Sequence, residues 1–311
     1  MRDPTDLAGN VGLISQSGSI CIGMLADLRR FGFSLVVSSG NEAVLNSAAF
    51  LERMIDDPHT KVIATFTESV REPERYVAAL DRAADAGKPV IVLKVGKSER
   101  TRQAITSHTG GLAGESRVFS ELLRAHRAIE VDDLDAMTEV LAVCQGRIWP
   151  TGRRLAVITA SGGQAELILD VASAAGLDLP PLPAAARAEV ERVIGPITGD
   201  GNPLDAWGNG NYATNMPHAF AVLSANPTTD AIAYCADSFD DQPMGRAERA
   251  LDYAKLVADA ARTSDKPHFL LSTRPGVIHR GQVRLLGEIG VPVIGGTRQG
   301  PGRDRSHGAL R

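Results

Sequence analysis

Short apolar runs alternate with longer amphipathic stretches along the first half of the chain. The apolar runs lie at 11–15, 34–38, 61–68 and 89–95. They are rich in Val and Ile and lack a clean two-residue alternation, which is typical of strands buried on both faces of a sheet. The amphipathic stretches, which predict helices, lie between them at 20–31, 43–56 and 73–86. This order predicts a mostly parallel, doubly wound sheet.

The segment QGRIWPTGRR at 145–154 interrupts this pattern with one proline and two glycines, and it predicts a domain boundary. Strand-like runs then resume at 154–160, 230–236, 266–273 and 291–296. The prolines of DLPPLP at 178–183 make that stretch a loop or a short edge element. We therefore expect two α/β domains, 1–148 and 149–298, followed by a polar tail at 299–311.

Composition and charge narrow the class of protein. Hydrophobic residues make up 43% and charged residues 23%, so packed cores are expected, and the net charge of -4 argues against a nucleic-acid binder. The three cysteines are far apart and show no metal-ligand spacing, as expected in a reducing compartment. No apolar run reaches the length of a membrane span. We expect a cytoplasmic protein without a metal site or membrane partner.

The stretch SQSGS at 15–19 joins a buried strand to a helix. The first backbone N–H groups of a helix lack intrahelical partners, and the helix dipole leaves partial positive charge there. Gly18 allows close approach of a ligand, and the hydroxyls of Ser17 and Ser19 add donors. The turn is thus a candidate anion site. The alternative is that Ser17 or Ser19 only caps the helix.

The stretch TASGGQAE at 159–166 repeats this arrangement in the second half. Ser161 is a candidate cap, and Gly162 and Gly163 open the turn. Ligands of doubly wound sheets bind at the carboxyl ends of the strands, where both turns lie. If these ends of the two domains face each other, two helix N-termini converge on one anion.

The loop SHTGGLAG at 107–114 places His108 beside Gly110 and Gly111. A neutral imidazole is a nucleophile near pH 7 and can accept a phosphoryl group, whose charge the helix N-termini would stabilise. Glu68, at the end of an apolar strand, is a candidate to hold the proton of the other ring nitrogen and orient the ring. The alternatives are a surface histidine and a solvated strand-end glutamate.

These residues lie in motifs that resemble one family, the nucleoside-diphosphate-forming acyl-CoA synthetases, which are relatives of succinyl-CoA synthetase. Five motifs match in order: SQSGS, GNEA at 40–43, TESV at 67–70, SHTGGLAG and GNPLDAWG at 201–208. The resemblance as a whole covers the chain up to about residue 298. The resemblance implies two flavodoxin-like doubly wound domains of the succinyl-CoA synthetase type. The sequence of the NPLDAWG motif most resembles the aryl- or feruloyl-type branch of this family.

The resemblance also implies roles for individual residues. His108 is then the phosphohistidine, and Glu68 is the glutamate that steadies its ring. The turns that contain Ser17, Gly18 and Ser19 and, in the second domain, Ser161, Gly162 and Gly163 would hold the phosphoryl group, together with Gly110 and Gly111. Asn202 and Asp205 would support the loop near the site.

The activity implied for the complete system converts a carboxylic acid, CoA and ATP or GTP into acyl-CoA, nucleoside diphosphate and phosphate. Family members also have a CoA-binding domain and an ATP-grasp module, which holds Mg²⁺. We therefore expect a partial member that forms an oligomer, needs an ATP-grasp subunit or domain, and binds no cofactor tightly itself. The rival interpretation is a non-catalytic module for assembly or for acyl or CoA sensing. A flavodoxin-type cofactor binder is less consistent with an aromatic content of 5%.

Overall fold

The structure, a computed structural model, describes residues 8–26, 30–98, 100–101, 116–238, 247–274 and 278–296. The chain divides into two compact units, Met1–Cys144 (unit 1) and Gln145–Arg311 (unit 2). The polar tail predicted at 299–311 lies outside the described residues. In the part of the chain that is described, no helix combines the length and the apolar character needed to cross a bilayer.

Unit 1 is a parallel five-stranded sheet with the strand order β2-β1-β3-β4-β5. Its strands are β1 (Ala8–Ser15), β2 (Phe33–Ser38), β3 (Val62–Thr67), β4 (Val90–Lys94) and β5 (Ile129–Val131). Its helices are α1 (Gly18–Ala26), α2 (Ser47–Asp56), α3 (Pro73–Asp85), α4 (Ser116–Ala125) and α5 (Leu134–Val143).

Both faces of this sheet are covered by helices. On one face, residues of α1 and α5 such as Met24 and Leu141 pack with Leu13 of β1. On the other face, residues of α2 and α3 such as Leu51 pack with the next residue of β1, Ile14. Successive residues of one strand are therefore both buried, which explains why the strand runs show no alternation of apolar and polar residues.

Unit 2 is a second parallel five-stranded sheet, with the strand order β10-β9-β8-β6-β7. Its strands are β6 (Leu155–Thr159), β7 (Leu204–Asp205), β8 (Ala231–Cys235), β9 (His268–Ser272) and β10 (Val293–Gly295). Its helices are α6 (Gly162–Ala175), α7 (Ala184–Ile194), α8 (Tyr212–Ala225), α9 (Ala247–Arg262) and α10 (Arg280–Gly287). Counted within each unit, both sheets have the order 2-1-3-4-5, so the predicted α/β class with two flavodoxin-like parallel sheets is confirmed.

The two faces of the unit 2 sheet are covered unequally. Residues of α7, α8, α9 and α10 form the main core with one face, for example Val190, Phe220 and Leu286. Beside α6, the other face contains an apolar groove, whose lining includes Ile168 and Phe269. In unit 1 the helix that follows the last strand, α5, packs against the face that α1 covers. Among the described residues of unit 2, no helix follows β10.

Several predicted boundaries differ from the structure. The helix predicted at 43–56 begins only at Ser47, because the side chain of Asn46 accepts hydrogen bonds from Ala48 N and Ala49 N and caps it there. The preceding GNEA segment is a turn, in which Glu42 has a positive φ of 53°. The helix predicted at 20–31 begins earlier, at Gly18, and Phe31 lies outside it.

Two short strands went unpredicted, β5 and β7. Strand β7 lies inside GNPLDAWG and pairs with the end of β6, where Ile158 is opposite Leu204 and Thr159 is opposite Asp205. Two residues are too few to produce a periodic pattern, so this strand is visible only through its pairing.

Candidate functional site

The carboxyl ends of the unit 1 strands form the edge at which the predicted site residues lie. Strands β1, β3 and β4 are neighbours, with Ser15 opposite Phe66 and Thr67 opposite Lys94. The turn after β1, residue Glu68 after β3 and the last residue of β4 therefore come together. Since ligands of parallel sheets bind at this edge, it is the candidate site of unit 1.

The turn before α1 is shaped by a buried serine. The hydroxyl of Ser15 donates to Ser17 O at 2.7 Å and accepts from Ser17 N at 3.2 Å. The hydroxyls of Ser17 and Ser19 lie 3.1 Å apart. Within the described residues, no side chain accepts a hydrogen bond from the first N–H groups of α1. Among the described residues neither serine hydroxyl is seen to cap α1, and these N–H groups remain candidates to bind an anion.

Gly18 is exposed at the start of α1. A Cβ built there would meet only Ser38 Oγ, at 3.6 Å, which is ordinary van der Waals contact. Packing therefore does not require glycine at this position. Its contribution is the open access that it leaves to the backbone of the turn.

Glu68 is half-buried directly after β3, and its backbone is held by side chains of both neighbouring strand ends. Gln16 Oε1 accepts hydrogen bonds from Glu68 N at 2.5 Å and Ser69 N at 3.0 Å, and Gln16 Nε2 donates to Ser69 O at 2.8 Å. From the other side, Lys94 Nζ donates to Glu68 O at 2.7 Å. In the described part of the chain, no donor is placed on the Glu68 carboxylate, which leaves it available to a ligand or a loop residue.

Lys94 is a buried lysine, with only 5% of its surface exposed. Its ammonium group also donates to Val95 O and lies 5.8 Å from the centre of the Phe119 ring. Burial lowers the pKa of Lys94 to about 8, and the nearby Glu68 carboxylate opposes this shift. Lys97, farther along the loop, is paired with Glu130 at 2.8 Å.

Gln16 and Lys94 had not been identified as contacts of Glu68 from the sequence. The available signals were a glutamine inside SQSGS and a lysine that ends an apolar strand. Neither shows which backbone groups its side chain reaches, because that depends on the register of three strands.

The corresponding turn of unit 2 is built differently. Ser161 caps α6, with its hydroxyl accepting from Gln164 N at 3.4 Å. A Cβ at Gly162 would meet Asp205 Oδ2 at 3.7 Å, and Gly163 has open space around it. A carboxylate therefore lies close to the start of α6, where it is itself stabilised by the helix dipole. The two helix starts are not equivalent as anion sites.

Asn202 and Asp205 lie in the loop that ends at β7. Asn202 is buried, and its side chain accepts from Val157 N at 3.0 Å and donates to Leu155 O at 2.9 Å. The Asn202 side chain thereby bonds to the backbone of β6 as a neighbouring strand would, which is a structural role. Asp205 Oδ1 accepts from Trp207 N at 3.1 Å, while its other oxygen is the one near Gly162. Only Asp205 of this pair lies beside a predicted phosphate-binding residue.

A second carboxylate at this edge of unit 2 had not been predicted. Asp237 follows β8 and accepts hydrogen bonds from Thr273 N at 2.7 Å and Ser272 Oγ at 2.9 Å. Gln164 Nε2, in the first turn of α6, donates to it at 3.3 Å. This network ties the α6 start to the end of β9 and leaves Asp237 well satisfied.

His108, Gly110 and Gly111 lie outside the described residues, so the predicted histidine loop remains a prediction. The residues on either side are described: β4 ends at Lys94 and α4 begins at Ser116. No group of three or more His, Cys, Asp or Glu side chains in the described ranges is arranged to hold a metal ion.

Comparisons with known proteins agree with this architecture. Residues 8–144 match the family described as succinyl-CoA ligase like flavodoxin domain. The ADP-forming 4-hydroxybutyrate–CoA ligase of Nitrosopumilus maritimus is 29% identical over 265 residues, which are 84% of this chain and 36% of that protein. Subunit alpha of the ADP-forming acetate–CoA ligase II of Pyrococcus furiosus is 32% identical over 73% of this chain and 50% of the subunit.

A solved structure shows the same fold. The acetyl-coenzyme A synthetase 1 of Ca. Korarchaeum cryptofilum, in complex with phosphate and ADP, matches with a TM-score of 0.76 and 23% identity. The match covers 94% of this chain and 62% of that one.

The sheet and the sequence of unit 1 therefore agree: its residues 8–144 match the model of the succinyl-CoA ligase like flavodoxin domain. Over most of its length the chain is similar to the ADP-forming CoA ligases described above. It spans 36% to 50% of the length of the two relatives described above.

Proposed function

We propose that this chain is a component of a nucleoside-diphosphate-forming acyl-CoA synthetase and that it carries a phosphoryl group on His108. The relatives support the reaction class. The observation that carries the proposal for the site lies at one sheet edge. There, among the described residues, no side chain accepts from the first N–H groups of α1, and no donor is placed on the carboxylate of Glu68. A phosphorylated imidazole needs both: donors for the phosphoryl oxygens and an acceptor for the proton on the other ring nitrogen.

In the proposed reaction, an imidazole nitrogen of His108 attacks the terminal phosphorus of ATP or GTP. The N–P bond forms as the bond to the nucleoside diphosphate breaks. A carboxylate substrate then attacks the same phosphorus, which gives an acyl phosphate and frees the imidazole. The CoA thiolate attacks the acyl carbon, and phosphate leaves. Each step transfers one group, and no oxidant or reductant is needed.

The residues of this chain act through position and charge. Glu68 accepts the hydrogen bond of the second ring nitrogen and fixes the orientation of the imidazole. The N–H groups at the start of α1, with Ser17, Gly18 and Ser19, hold the phosphoryl oxygens. Each helix end of this kind contributes about 1–2 kcal/mol in partly buried geometry.

We assign a smaller share of phosphate binding to the start of α6. Ser161 already caps this helix, and Asp205 places a negative charge near Gly162. A second anion there would be repelled by that carboxylate. In this proposal Gly162 and Gly163 contribute backbone access, and the Asp205 carboxylate weakens the binding of an anion at the start of α6.

The remaining parts of the reaction are assigned to a partner. The alpha-subunit relative points to a second subunit or domain, and we propose an ATP-grasp partner that binds the nucleotide and Mg²⁺. CoA and the carboxylic acid are substrates of the assembled enzyme. We also propose that the protein is cytoplasmic and works as an oligomer.

The test combines the purified chain with the ATP-grasp subunit of an active relative and ATP labelled in its terminal phosphate. We expect an acid-labile, base-stable label on the wild type that is absent from His108→Ala. His59→Ala is the matched control, because His59 is an exposed histidine of the same unit, and it should label normally.

Two other outcomes contradict the proposal. Equal labelling of wild type and His108→Ala would assign the phosphoryl group to another residue. Absence of label on the wild type, with a partner that phosphorylates its own subunit under the same conditions, would favour the non-catalytic module.

A further inference from the structure

We propose that Gln16 and Lys94 are positioning residues that hold Glu68 in the orientation needed to pair with His108. This inference rests on the proposed function, because it gives Glu68 the imidazole as its partner. It adds two residues to the site that act through the backbone of Glu68 and not through a contact with the substrate.

Gln16 is placed to fix two successive residues at once. Its side chain makes three hydrogen bonds to the backbone of Glu68 and Ser69, at 2.5, 3.0 and 2.8 Å. Its own backbone N–H donates to Phe66 O at 3.1 Å, so residue 16 is still joined to β3. The amide therefore spans from the turn before α1 to the residues directly after β3, and it couples the helix start to the glutamate.

Lys94 holds the same residue from the opposite side. Its ammonium group donates to Glu68 O at 2.7 Å and also to Val95 O. Among the described residues it has no carboxylate within ion-pair distance. Burying an ammonium group without an ion pair is costly. That cost is consistent with a requirement for its hydrogen bonds at this place.

Together the two side chains satisfy both backbone groups of Glu68. The N–H is bound by Gln16 and the C=O by Lys94, so the main chain of this residue is fixed after β3 has ended. The carboxylate remains without a donor in the described part of the chain. A glutamate whose backbone is fixed in this way loses less conformational freedom when its carboxylate pairs with an imidazole, and the pair is correspondingly stronger.

The chain offers a matched control for each residue. Lys88, before the other end of β4, also donates to three backbone carbonyls, of Met54, Ile55 and Asp57, but far from Glu68 along the strand. Gln282 in unit 2 is a buried amide that donates to Ala250 O at 2.8 Å. Both make comparable structural contacts away from the candidate site.

The first measurement asks whether Gln16 holds the backbone of Glu68. We expect Gln16→Met to speed hydrogen exchange of the Glu68 amide about tenfold, because that N–H loses its acceptor. Gln282→Met should leave this amide unchanged. If the Glu68 amide exchanges equally slowly in Gln16→Met, the hydrogen bond does not hold this residue and the proposal is wrong.

The second measurement asks whether the positioning of Glu68 affects the ring pKa of His108. The ring pKa of His108 is followed by nitrogen NMR in the intact chain, with the His108 signals identified by their loss in His108→Gln. We expect Glu68→Gln to lower the pKa of His108 by about 1 unit, since a nearby carboxylate stabilises the imidazolium. Gln16→Met and Lys94→Met should lower it in the same direction, whereas Lys88→Met should not.

The Lys94 variant separates positioning from simple charge. If Lys94 acted only through its charge, its removal would raise the pKa of His108, because a nearby cation disfavours the imidazolium. A fall therefore supports positioning, and a rise overturns that role of Lys94. In a Glu68→Gln background, Gln16→Met should cause no further fall, and an additional fall of similar size would contradict action through Glu68.

The two levels of the proposal fail in different ways. If Glu68→Gln leaves the pKa of His108 unchanged, the pairing assumed under the proposed function is wrong, and the positioning role falls with it. If Glu68→Gln lowers the pKa but Gln16→Met and Lys94→Met do not, only the positioning role is overturned. Thermal melts that match those of Lys88→Met and Gln282→Met show that the variants remain folded.

Discussion

His268, the first residue of β9, is a buried histidine with both ring nitrogens engaged. Nδ1 lies 2.9 Å from Lys266 O, which can only accept, so Nδ1 carries the proton. Nε2 then accepts from the hydroxyl of Ser224, at 3.1 Å. Burial lowers the pKa of His268 below its ordinary value, because the charged imidazolium would lose its hydration.

This residue predicts a loss of stability on mild acidification. An unfolded histidine binds a proton near pH 6.5, whereas folded His268 resists protonation, so the unfolded state binds more protons below that pH. We expect the free energy of unfolding to fall below about pH 6.5, by at most about 1.4 kcal/mol per pH unit for this group. Urea unfolding between pH 5 and 8 measures this slope.

The matched variants separate His268 from the other histidines. His268→Phe keeps an aromatic ring that can pack on Phe220 but cannot titrate, so it should flatten the slope even if it lowers the free energy of unfolding throughout. His59→Gln, which changes an exposed histidine of unit 1, should retain the wild-type slope. An unchanged slope in His268→Phe would show that another group causes the pH dependence.

At the scale of single residues, the sequence shows which side chains can take part in chemistry better than it shows which groups they contact. The position of Glu68 at the carboxyl edge of the sheet could be predicted, because it directly follows an apolar strand. The roles of Gln16 and Asn202 could not, because each replaces backbone partners on another strand and so depends on tertiary pairing. His108 lies outside the described residues, and its role stays a prediction.

At the scale of elements, the starts of α1 and α6 follow the same strand–turn–helix pattern but differ in their hydrogen bonds. Ser161 accepts from Gln164 N, whereas the Ser17 hydroxyl is bonded to that of Ser19. A side-chain cap stabilises a helix, and an uncapped start leaves its N–H groups to a ligand. Similar sequence motifs therefore produce one start with a side-chain cap and one whose first N–H groups are accepted by no described side chain.

This difference predicts unequal effects of serine removal. Ser161→Ala should lower the free energy of unfolding by about 1 kcal/mol, the usual cost of a lost cap. Ser17→Ala should change it much less, because its hydroxyl accepts no backbone N–H of α1 among the described residues. Urea unfolding of the two variants at neutral pH tests this. Equal losses would indicate that Ser17 caps α1 in solution.

The elements themselves were predicted best where burial is most uniform. Strands β1, β3 and β4 were found because both their faces are covered, which makes the apolar runs continuous. The start of α2 was misplaced because Ala43, Val44 and Leu45 look helical, although Val44 is 92% exposed in the turn. The cap at Asn46 overrides the helix propensity of the residues before it.

At the scale of the whole molecule, the two units share a strand order but differ in how their sheets are covered. Unit 1 has helices on both faces, including α5 beside α1. Unit 2 has an apolar groove beside α6, lined in part by Ala231 and Phe269. Apolar surface that such a groove leaves exposed forgoes burial that would otherwise stabilise the fold, at roughly 25 cal/mol per Å².

We therefore expect unit 2 to be the less stable unit when the two are produced as separate chains, 1–144 and 145–311. The free energy of unfolding of each is measured in urea, by circular dichroism for 1–144. Both tryptophans of the protein, Trp149 and Trp207, belong to unit 2, so their fluorescence follows 145–311 alone. The physical reason is the groove, because it leaves apolar surface of the unit 2 sheet exposed. In unit 1, α5 and its neighbours cover the sheet.

A substitution in the groove tests this cause directly. Ala231 lies in β8 at the groove, and Ala231→Val adds apolar volume with a side chain that suits a strand. It should raise the free energy of unfolding of 145–311, whereas overpacking of a tightly filled site would lower it by about 1–3 kcal/mol. A fragment 145–311 as stable as 1–144, or a clear loss in Ala231→Val, would show that the groove is filled in solution and is not a source of instability.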